Sequence, residues 1–218
     1  MNGTRTGVVL AGGYSIRFGE REKALAELAG QPLLVHAVNG VTPAVDNVVV
    51  NCRRDQLPSF RDALAPVLDD VAFVCDSEPD EGPAAGLATA LDAVAASRVA
   101  VVACDMPYVD ATFLEWLFKV MDEADGAVPY VEGAPQPVHA VFVTEPARRA
   151  AYDALTNASG SLRDVLDQLD IVEISEARVF EKTAEASFVD VNTPSELRTI
   201  TSKSGSHERI KSTGDEMK

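Results

Sequence analysis

The chain lacks the features of membrane-spanning, secreted and zinc-binding proteins. It has no apolar run approaching the roughly 18 residues of a membrane-spanning helix, and its start, Met1–Arg5, lacks the apolar stretch of a signal peptide. Only three cysteines occur, Cys52, Cys75 and Cys104, and they form no CxxC pair, so neither a disulfide framework nor a zinc site is indicated. We therefore expect a soluble, cytoplasmic protein with buried thiols near strand ends.

Positive charge is also scarce. The 218 residues include 34 acidic and 19 basic side chains, which gives a formal net charge of -15, and only six of the basic residues are lysines. Charge of this sign repels phosphodiester backbones, and no run of lysine and arginine in the folded part forms a basic stripe, so we expect no nucleic-acid partner. The acid excess is typical either of a high-salt cytoplasm or of an ordinary acidic cytosolic protein.

The chain does have enough apolar surface for a folded core. Hydrophobic residues make up 46% of it and charged residues 24%, which excludes a wholly disordered protein. The length predicts a single domain, which we place at residues 1–200. Residues 201–218 are rich in Ser, Thr, Gly, Lys and Glu, which predicts a disordered tail.

Short apolar runs rich in β-branched residues alternate with helical patterns in the first half of the chain. The predicted strands are Thr6–Leu10, Asn47–Val50, Val71–Cys75 and Val99–Ala103. The predicted helices are Pro32–Val41, Ser59–Leu68, Pro83–Ala96 and, after Asp110 as the N-cap, Ala111–Ala124. This alternation predicts an α/β fold with a doubly wound, mainly parallel sheet flanked by helices. Ligands of such sheets bind beyond the carboxyl ends of the strands.

The second half is less regular, and we expect it to complete the sheet and to build a second wall of the cleft. Strands are predicted over Ala127–Tyr130, Val138–Val143 and Ser187–Val191, the last leading into a short helix at Pro194. Helices are predicted over Pro146–Leu155 and Ser161–Leu169.

A glycine-rich segment follows the first strand and carries two cations. It reads Leu10-Ala11-Gly12-Gly13 and continues through Arg17 and Gly19 to Lys23. Glycine lets backbone N–H groups turn toward an anion, and the two cations add fixed positive charge. The segment has neither Walker spacing nor a GxGxxG pattern. It predicts a phosphate-binding loop, with an ordinary connection from strand to helix as the alternative.

Five motifs together resemble the molybdenum cofactor guanylyltransferase family of the nucleotidyltransferase superfamily. They are LAGGxxxRxGxxxK at 10–23 with the trailing LxGxPL at 28–33, GPAAG at 82–86, CDMP at 104–107, QPVHA at 136–140 and VNTP at 191–194. The opening alone is typical of the superfamily, and the whole set, from about Gly7 to Leu197, is typical of the family. Two positions depart from its usual pattern, Ala84 in place of leucine and Asp190 in place of a frequent asparagine. The resemblance implies the Rossmann-like fold of the nucleotide-diphospho-sugar transferases.

The resemblance also implies a role for individual positions. Catalytic roles fall to Lys23, Asp105 and Arg17. The implied nucleotide-binding residues are Leu10, Ala11, Gly12, Gly13, Lys23, Asn51, Asp76 and Asp105, and the implied acceptor-binding residues are Gln136, His139 and Asn192.

The chemistry of the two aspartates agrees with these roles. Asp105 directly follows a buried strand and can hold Mg²⁺, which prefers oxygen ligands and bridges phosphate oxygens. The carboxylate of Asp76 can accept two N–H bonds from the edge of guanine. Purely structural alternatives stay open for these residues. Asp76 and Asp105 could be solvent-exposed acids in turns, Asn51 a turn residue at the end of a strand, Asn192 a helix cap and His139 a packing residue. It also stays open whether Asp190 or Asn192 joins the metal site.

The expected reaction is the Mg²⁺-dependent transfer of GMP from GTP to the terminal phosphate of molybdopterin cofactor, with release of pyrophosphate. Maturation proteins of molybdoenzymes are expected as further partners. One alternative keeps the fold and uses cobinamide phosphate or a sugar phosphate as acceptor; the other is a non-catalytic nucleotide-binding protein that delivers the cofactor. The QPVHA motif favours the expected reaction over the first alternative, and the presence of both Lys23 and Asp105 favours it over the second.

Overall fold

The computed structural model describes residues 3–14, 18, 22–67, 71–76, 82–157 and 159–202. The strands in this part of the chain, numbered β1 to β10, are Arg5–Leu10, Glu27–Leu28, Gln31–Pro32, Asn47–Cys52, Val71–Cys75, Arg98–Ala103, Gly126–Val131, Ala134–Pro135, His139–Val143 and Ile171–Ile174. The α-helices, numbered α1 to α8, are Leu33–Val41, Leu57–Leu64, Pro83–Asp92, Ala111–Val120, Thr144–Asn157, Leu162–Leu166, Glu176–Phe180 and residues 194–202.

Four parallel strands form the half of the sheet that carries most of the predicted motifs. Their order is β5-β4-β1-β6, and β1 pairs in parallel with both β4 and β6. The chain runs outward from β1 to β5 and then returns to the other side of β1, so the strand order reverses between β1 and β6. This confirms the predicted doubly wound, mainly parallel sheet. It also places the ligand crevice beyond Leu10 and Ala103, which are register partners at the carboxyl ends of the two strands.

Helices cover both faces of the sheet. One buried cluster joins it to α1, α2 and α4 and includes the fully buried rings of Phe60 and Phe113. A second cluster joins the other face to α3 and α5, largely through alanines. Val8 and Val9 point to opposite faces of β1, and both are 0% exposed. Because each face is covered, the central strands appear in the sequence as continuous apolar runs.

The second half of the described chain extends the sheet. Strand β9 pairs antiparallel with β6 and β7, and β10 runs parallel to β7. The strand predicted over Ser187–Val191 is wrong, because Glu185–Phe188 form a 3-10 helix instead. Hydroxyl groups favour this turn: Ser187 Oγ donates to the carbonyl of Ala184 at 2.7 Å and lies 2.5 Å from Thr183 Oγ1. Sequence analysis also missed β10 and α7.

Helix α3 is shorter than predicted. It ends at Asp92 instead of Ala96, and its last carbonyls are bound by a side chain from α5. The guanidinium of Arg148 donates to the carbonyls of Leu91 at 2.8 Å and Val94 at 3.2 Å. The carbonyl of Leu91 also accepts the backbone N–H of Val94 at 3.2 Å, so Arg148 reinforces the backbone turn that ends the helix.

The start of α4 is as predicted. Asp110 is its N-cap, and the Oδ1 atom of Asp110 accepts the N–H groups of Thr112 at 2.9 Å and Phe113 at 3.2 Å.

The last helix takes in the first two residues of the predicted tail, since α8 continues to residue 202. The rest of that tail, 203–218, lies outside the described residues. Among the helices that the structure describes, none has the length and apolar character needed to cross a membrane.

Candidate active site

Two adjoining cavities lie at the carboxyl ends of β1 and β6. The larger has a volume of about 340 Å³, and the smaller, of about 120 Å³, shares Leu10, Gly13, Tyr14 and Ala103 with it. All eight residues predicted to bind the nucleotide line one or both: Leu10, Gly12, Gly13, Asn51 and Asp76 the larger, and Leu10, Ala11, Gly13, Lys23 and Asp105 the smaller. The fold therefore brings into one crevice residues from the carboxyl ends of four parallel strands and from the loops that follow them.

A polar pair forms one corner of the larger cavity. Asn51 lies near the end of β4, and Asp76 directly follows β5. Asn51 Nδ2 donates to Asp76 Oδ1 at 2.6 Å. Burial raises the pKa of the Asp76 carboxyl, while the bond from Asn51 and the charge of Arg53 act in the opposite direction. The Asn51 side chain is itself buried. Its amide therefore fixes the carboxylate and leaves the second oxygen, Oδ2, for another partner.

Two glycines make room for this pair. A Cβ atom on Gly12 would lie 2.6 Å from Asp76 Oδ2, and one on Gly86, in α3, would lie 2.8 Å from Asn51 Oδ1. Both distances are shorter than side-chain packing allows. Gly86 is the last residue of the GPAAG motif. A glycine is needed there because a larger residue would collide with the Asn51 side chain, and not because the backbone requires a positive φ.

Replacement of Gly86 by alanine is expected to weaken nucleotide binding about 10- to 100-fold, because the new methyl group displaces the Asn51 amide from Asp76. Calorimetric titration with GTP measures the effect. In the double variant Gly86→Ala, Asn51→Ser the shorter side chain leaves room for the methyl group, so the alanine should cause little further loss. Equal losses on both backgrounds would contradict this account.

A lysine and an aspartate meet at the floor of the smaller cavity. Lys23, at the start of a 3-10 helix, and Asp105, two residues beyond β6, are 82 positions apart, and Lys23 Nζ lies 2.5 Å from Asp105 Oδ2. Their side chains are 18% and 15% exposed. Two residues that are far apart in the sequence therefore face each other in the fold. The contact places one cation and one carboxylate side by side in the smaller cavity.

The VNTP segment is joined to this ion pair. Lys23 Nζ donates to Asn192 Oδ1 at 3.1 Å, and Asn192 Nδ2 donates to Asp190 Oδ2 at 2.6 Å. The backbone N–H of Val191 donates to the carbonyl of Asp105 at 3.0 Å, which ties the two segments together. Asp105 and Asn192 thus both accept hydrogen bonds from one ammonium group, and Asp190 is joined to it through the amide of Asn192.

Gln136 and His139 lie outside this arrangement. The Nε2 atom of Gln136 donates to the carbonyl of Ala134, within its own loop, at 3.3 Å, although Val138, two residues further on, lines the larger cavity. Arg17 lies outside the described residues. His139 was predicted as an acceptor contact, but it is 0% exposed and lines neither cavity.

His139 is held in the core by aromatic rings. Its imidazole lies 4.7 Å from the ring of Phe188 and 5.5 Å from that of Phe113. Within the described part of the chain neither ring nitrogen has a hydrogen-bond partner. Burial lowers the pKa of His139 to about 4, although the charge of Asp110 opposes the shift. The strand pleat is the reason for its position, because it turns His139 to the face of the sheet that α4 covers.

The lowered pKa of His139 predicts a loss of stability in mild acid. The neutral ring is favoured in the folded protein, so its contribution is complete above the ordinary pKa of about 6.5 and falls as the pH drops toward 4. The free energy of unfolding should decrease by about 1.4 kcal/mol per pH unit in that window. Urea unfolding between pH 7.5 and 4.5 measures the slope. The control is His139→Leu, which should lack this part of the slope; identical slopes would refute the prediction.

Sequence analysis missed three residues around the glycine segment. Tyr14 lines both cavities, Arg53 lies behind the segment, and the buried Gln56 donates to the carbonyl of Ala11 at 3.2 Å. Arg53 and Gln56 follow the end of β4, at the same edge of the sheet as Asn51. That placement was the only signal in the sequence, since neither residue belongs to a motif.

Known proteins resemble this chain over most of its length. A probable molybdenum cofactor guanylyltransferase from Natronomonas pharaonis is 41% identical over 197 residues, which cover 89% of this chain and 96% of that protein. A probable molybdenum cofactor guanylyltransferase from Haloferax mediterranei is 36% identical over 91% of this chain and 94% of its own.

A solved structure shows the same fold. The molybdopterin-guanine dinucleotide biosynthesis protein A from Archaeoglobus fulgidus superposes with a TM-score of 0.75 over 92% of this chain and 99% of its own, at 24% identity. The family described as the MobA-like NTP transferase domain matches residues 7–173. That range contains every residue that lines the two cavities. The chain therefore belongs to the family of MobA-like NTP transferase domains.

Proposed function

We propose that the protein is a molybdenum cofactor guanylyltransferase, which transfers GMP from GTP to the terminal phosphate of molybdopterin cofactor and releases pyrophosphate. The observation that carries the proposal is the contact of Lys23 with Asp105 beside a cavity large enough for a nucleoside, at the switch point of the sheet. The relatives from Natronomonas and Haloferax, whose names state this activity, support the choice of reaction.

The larger cavity is the proposed position of the guanosine. At its corner the carboxylate of Asp76 is held by Asn51, and Oδ2 remains to accept the N–H groups on the edge of guanine. Cytosine and adenine present a different arrangement of donors there, so a fixed acceptor discriminates among the bases. Gly12 allows the nucleotide to approach the backbone, because it has no Cβ atom.

The smaller cavity is the proposed position of the phosphates and of a divalent cation, Mg²⁺. Asp105, with Asn192 and Asp190 as further oxygen donors, would hold the cation, and this donor set fits Mg²⁺, which prefers oxygen ligands. Among the described residues no group of three or more His, Cys, Asp or Glu side chains is arranged to bind a metal. Mg²⁺ does not need one, because phosphate oxygens and water supply most of its ligands in such sites. When bound, it would neutralise charge on the triphosphate.

The transfer itself requires positioning more than proton transfer. An oxygen of the acceptor phosphate attacks the α-phosphorus of GTP in line, a P–O bond forms, and the bond to the β-phosphate oxygen breaks. The acceptor oxygen is already anionic at neutral pH, so no general base is needed. Lys23 offsets the negative charge that grows on the leaving pyrophosphate. The proposed acceptor wall includes Gln136 and Asn192, whereas the buried ring of His139 can act there only through packing.

The proposed compartment is the cytoplasm, where GTP is available. The product dinucleotide is expected to pass to a maturation protein of a molybdoenzyme, because a cofactor acts only after it is bound by an enzyme.

The test is an assay of the purified protein with GTP labelled at the α-phosphorus, Mg²⁺ and molybdopterin cofactor. Labelled pterin dinucleotide and an equal amount of pyrophosphate are expected. Parallel reactions contain CTP or ATP in place of GTP, and cobinamide phosphate or a sugar phosphate in place of the pterin. Product with CTP but not with GTP contradicts the assigned base. Nucleotide binding without product from any acceptor would indicate the non-catalytic delivery protein instead.

A further inference from the structure

Arg53 lies directly after β4, behind the glycine segment of the crevice. Its Nη1 atom donates to two consecutive backbone carbonyls, those of Gly13 at 3.0 Å and Gly12 at 3.2 Å. Its Nη2 atom donates to Glu22 Oε2 at 3.0 Å. The Arg53 side chain is only 11% exposed, and it lines neither of the two cavities. One guanidinium therefore joins both ends of the glycine segment from its rear side.

Arg53 is in turn held in place by its surroundings. Its guanidinium lies 4.3 Å from the centre of the Tyr14 ring, and its Nε atom donates to Asp55 at 3.2 Å. Its backbone N–H donates to Gln56 Oε1 at 2.7 Å, and the Nε2 atom of the same Gln56 side chain donates to the carbonyl of Ala11. The N–H groups of the guanidinium are therefore fixed relative to the glycine segment. A planar guanidinium held in this way binds its acceptors in one defined orientation.

The two bound carbonyls determine where two N–H groups point. In a trans peptide the C=O and the N–H of one plane point in opposite directions. The carbonyls of Gly12 and Gly13 face Arg53, so the N–H groups of Gly13 and Tyr14 face away from it. Within the described residues those two N–H groups donate to no partner. Gly13 and Tyr14 line both cavities, so their donors lie on the side of the crevice.

We propose that Arg53 is a positioning residue for the triphosphate: it turns two carbonyls to the rear of the glycine segment and thereby aims the N–H groups of Gly13 and Tyr14 at phosphate oxygens. Consecutive N–H groups that point to one side form a concave site for anions. The inference rests on the proposed function in that the anion is the triphosphate of a nucleotide. Arg53 itself does not touch the nucleotide.

Arg53 has a second effect, on the charge of the crevice. Glu22 lines the smaller cavity next to Lys23, where a carboxylate would repel a triphosphate. The bond from Arg53 pairs that carboxylate with a cation and draws it to the rear of the segment. The same side chain thus aligns donors toward the anion and offsets the one acidic group, among the described residues, that the smaller cavity has besides Asp105.

The experiment measures the affinity of the protein for GTP and for guanosine by calorimetry, for the wild type and for Arg53→Ala. We expect the Kd for GTP to rise about 10- to 100-fold in the variant, because two hydrogen bonds to a charged group lose their alignment. The Kd for guanosine should change less than about threefold, since guanosine carries no phosphate. The matched control is Arg54→Ala, which removes the same charge from the neighbouring exposed residue and should leave both affinities unchanged.

Two further variants separate alignment from charge. Arg53→Lys retains the charge beside Glu22 without the planar guanidinium, so it should recover part of the GTP affinity but not all of it. In the Arg53→Ala background, Glu22→Gln should strengthen GTP binding, because it removes the carboxylate whose charge Arg53 no longer offsets. These comparisons also remain readable if Arg53→Ala fails to fold, since Arg53→Lys and Glu22→Gln can each be compared with the wild type.

The outcomes distinguish this proposal from the proposed function. Equal losses for GTP and guanosine would show a merely structural role for Arg53, and an unchanged Kd for GTP, or the same loss in Arg54→Ala, would also overturn the inference. A wild-type protein that binds GTP but forms no pterin dinucleotide contradicts the proposed function and not the role of Arg53. A wild-type protein that binds neither ligand contradicts both.

Discussion

Replacement of Asp105 by asparagine is expected to lower kcat by about 10³-fold. The carboxylate accepts a hydrogen bond from the ammonium of Lys23, and it is the proposed ligand of the divalent cation that offsets charge on the phosphates. An amide oxygen keeps the shape but lacks the charge, so the concentration of Mg²⁺ required for half-maximal rate should rise as well. Steady-state rates over a series of Mg²⁺ concentrations, with saturating GTP, measure both effects.

The variant should nevertheless fold. Asparagine can still accept the hydrogen bond from Lys23 Nζ, and the carbonyl of residue 105 still accepts the N–H of Val191. A thermal unfolding curve close to that of the wild type is therefore expected. Asp122→Asn serves as the control, because it makes the same change at an exposed residue outside the crevice, where asparagine also suits the positive φ of 47°. Normal turnover with an unchanged Mg²⁺ requirement in Asp105→Asn would contradict the assigned metal site.

The crevice was largely predictable because its residues are placed by strand ends. Asn51 lies near the end of β4, Asp76 follows β5 and Asp105 follows β6. The carboxyl ends of parallel strands lie at one edge of the sheet. Apolar runs without alternation identified those strands, since both faces of the sheet are buried. A short-range pattern was therefore enough to predict that residues far apart in the sequence would meet.

Other parts of the site depend on tertiary contacts that leave no such pattern. Arg53 acts through the carbonyls of Gly12 and Gly13, 40 or more positions earlier in the chain, and carbonyl direction is not encoded by residue type. The path of the chain near Asn192 was predicted wrongly because the hydroxyls of Thr183 and Ser187 bond locally and form a turn where a strand was expected.

His139 shows how far a motif can mislead without the sheet. It belongs to the QPVHA motif, and an imidazole near a nucleotide cleft suggests contact with a substrate. Its ring lies instead against Phe113 and Phe188, and Phe188 comes from the turn that sequence analysis had taken for a strand. The buried ring agrees with the packing role that stayed open for His139, and one of its aromatic partners lies in the segment whose fold was predicted wrongly.

Replacement of Lys23 by glutamine is expected to have two effects of opposite sign. In the free protein the ammonium holds Asp105 Oδ2 and Asn192 Oδ1, the same oxygens that the cation would use. Removal of the ammonium should therefore strengthen the binding of Mg²⁺ without nucleotide, while kcat falls by about 10²- to 10³-fold because the charge on the leaving pyrophosphate is no longer offset. Lys119→Gln, at an exposed position on α4, is the control for loss of a lysine.

The double variant Lys23→Gln, Asp105→Asn tests whether the pair acts as one unit. If both side chains stabilise the same developing charge, the double variant should be about as slow as the slower single variant, and the two losses should not multiply. Calorimetric titration with Mg²⁺ should show that the gain of affinity in Lys23→Gln disappears when Asp105 is also replaced. Weaker Mg²⁺ binding in Lys23→Gln, or fully multiplicative losses of rate, would mean that the two residues act on different groups of the substrate.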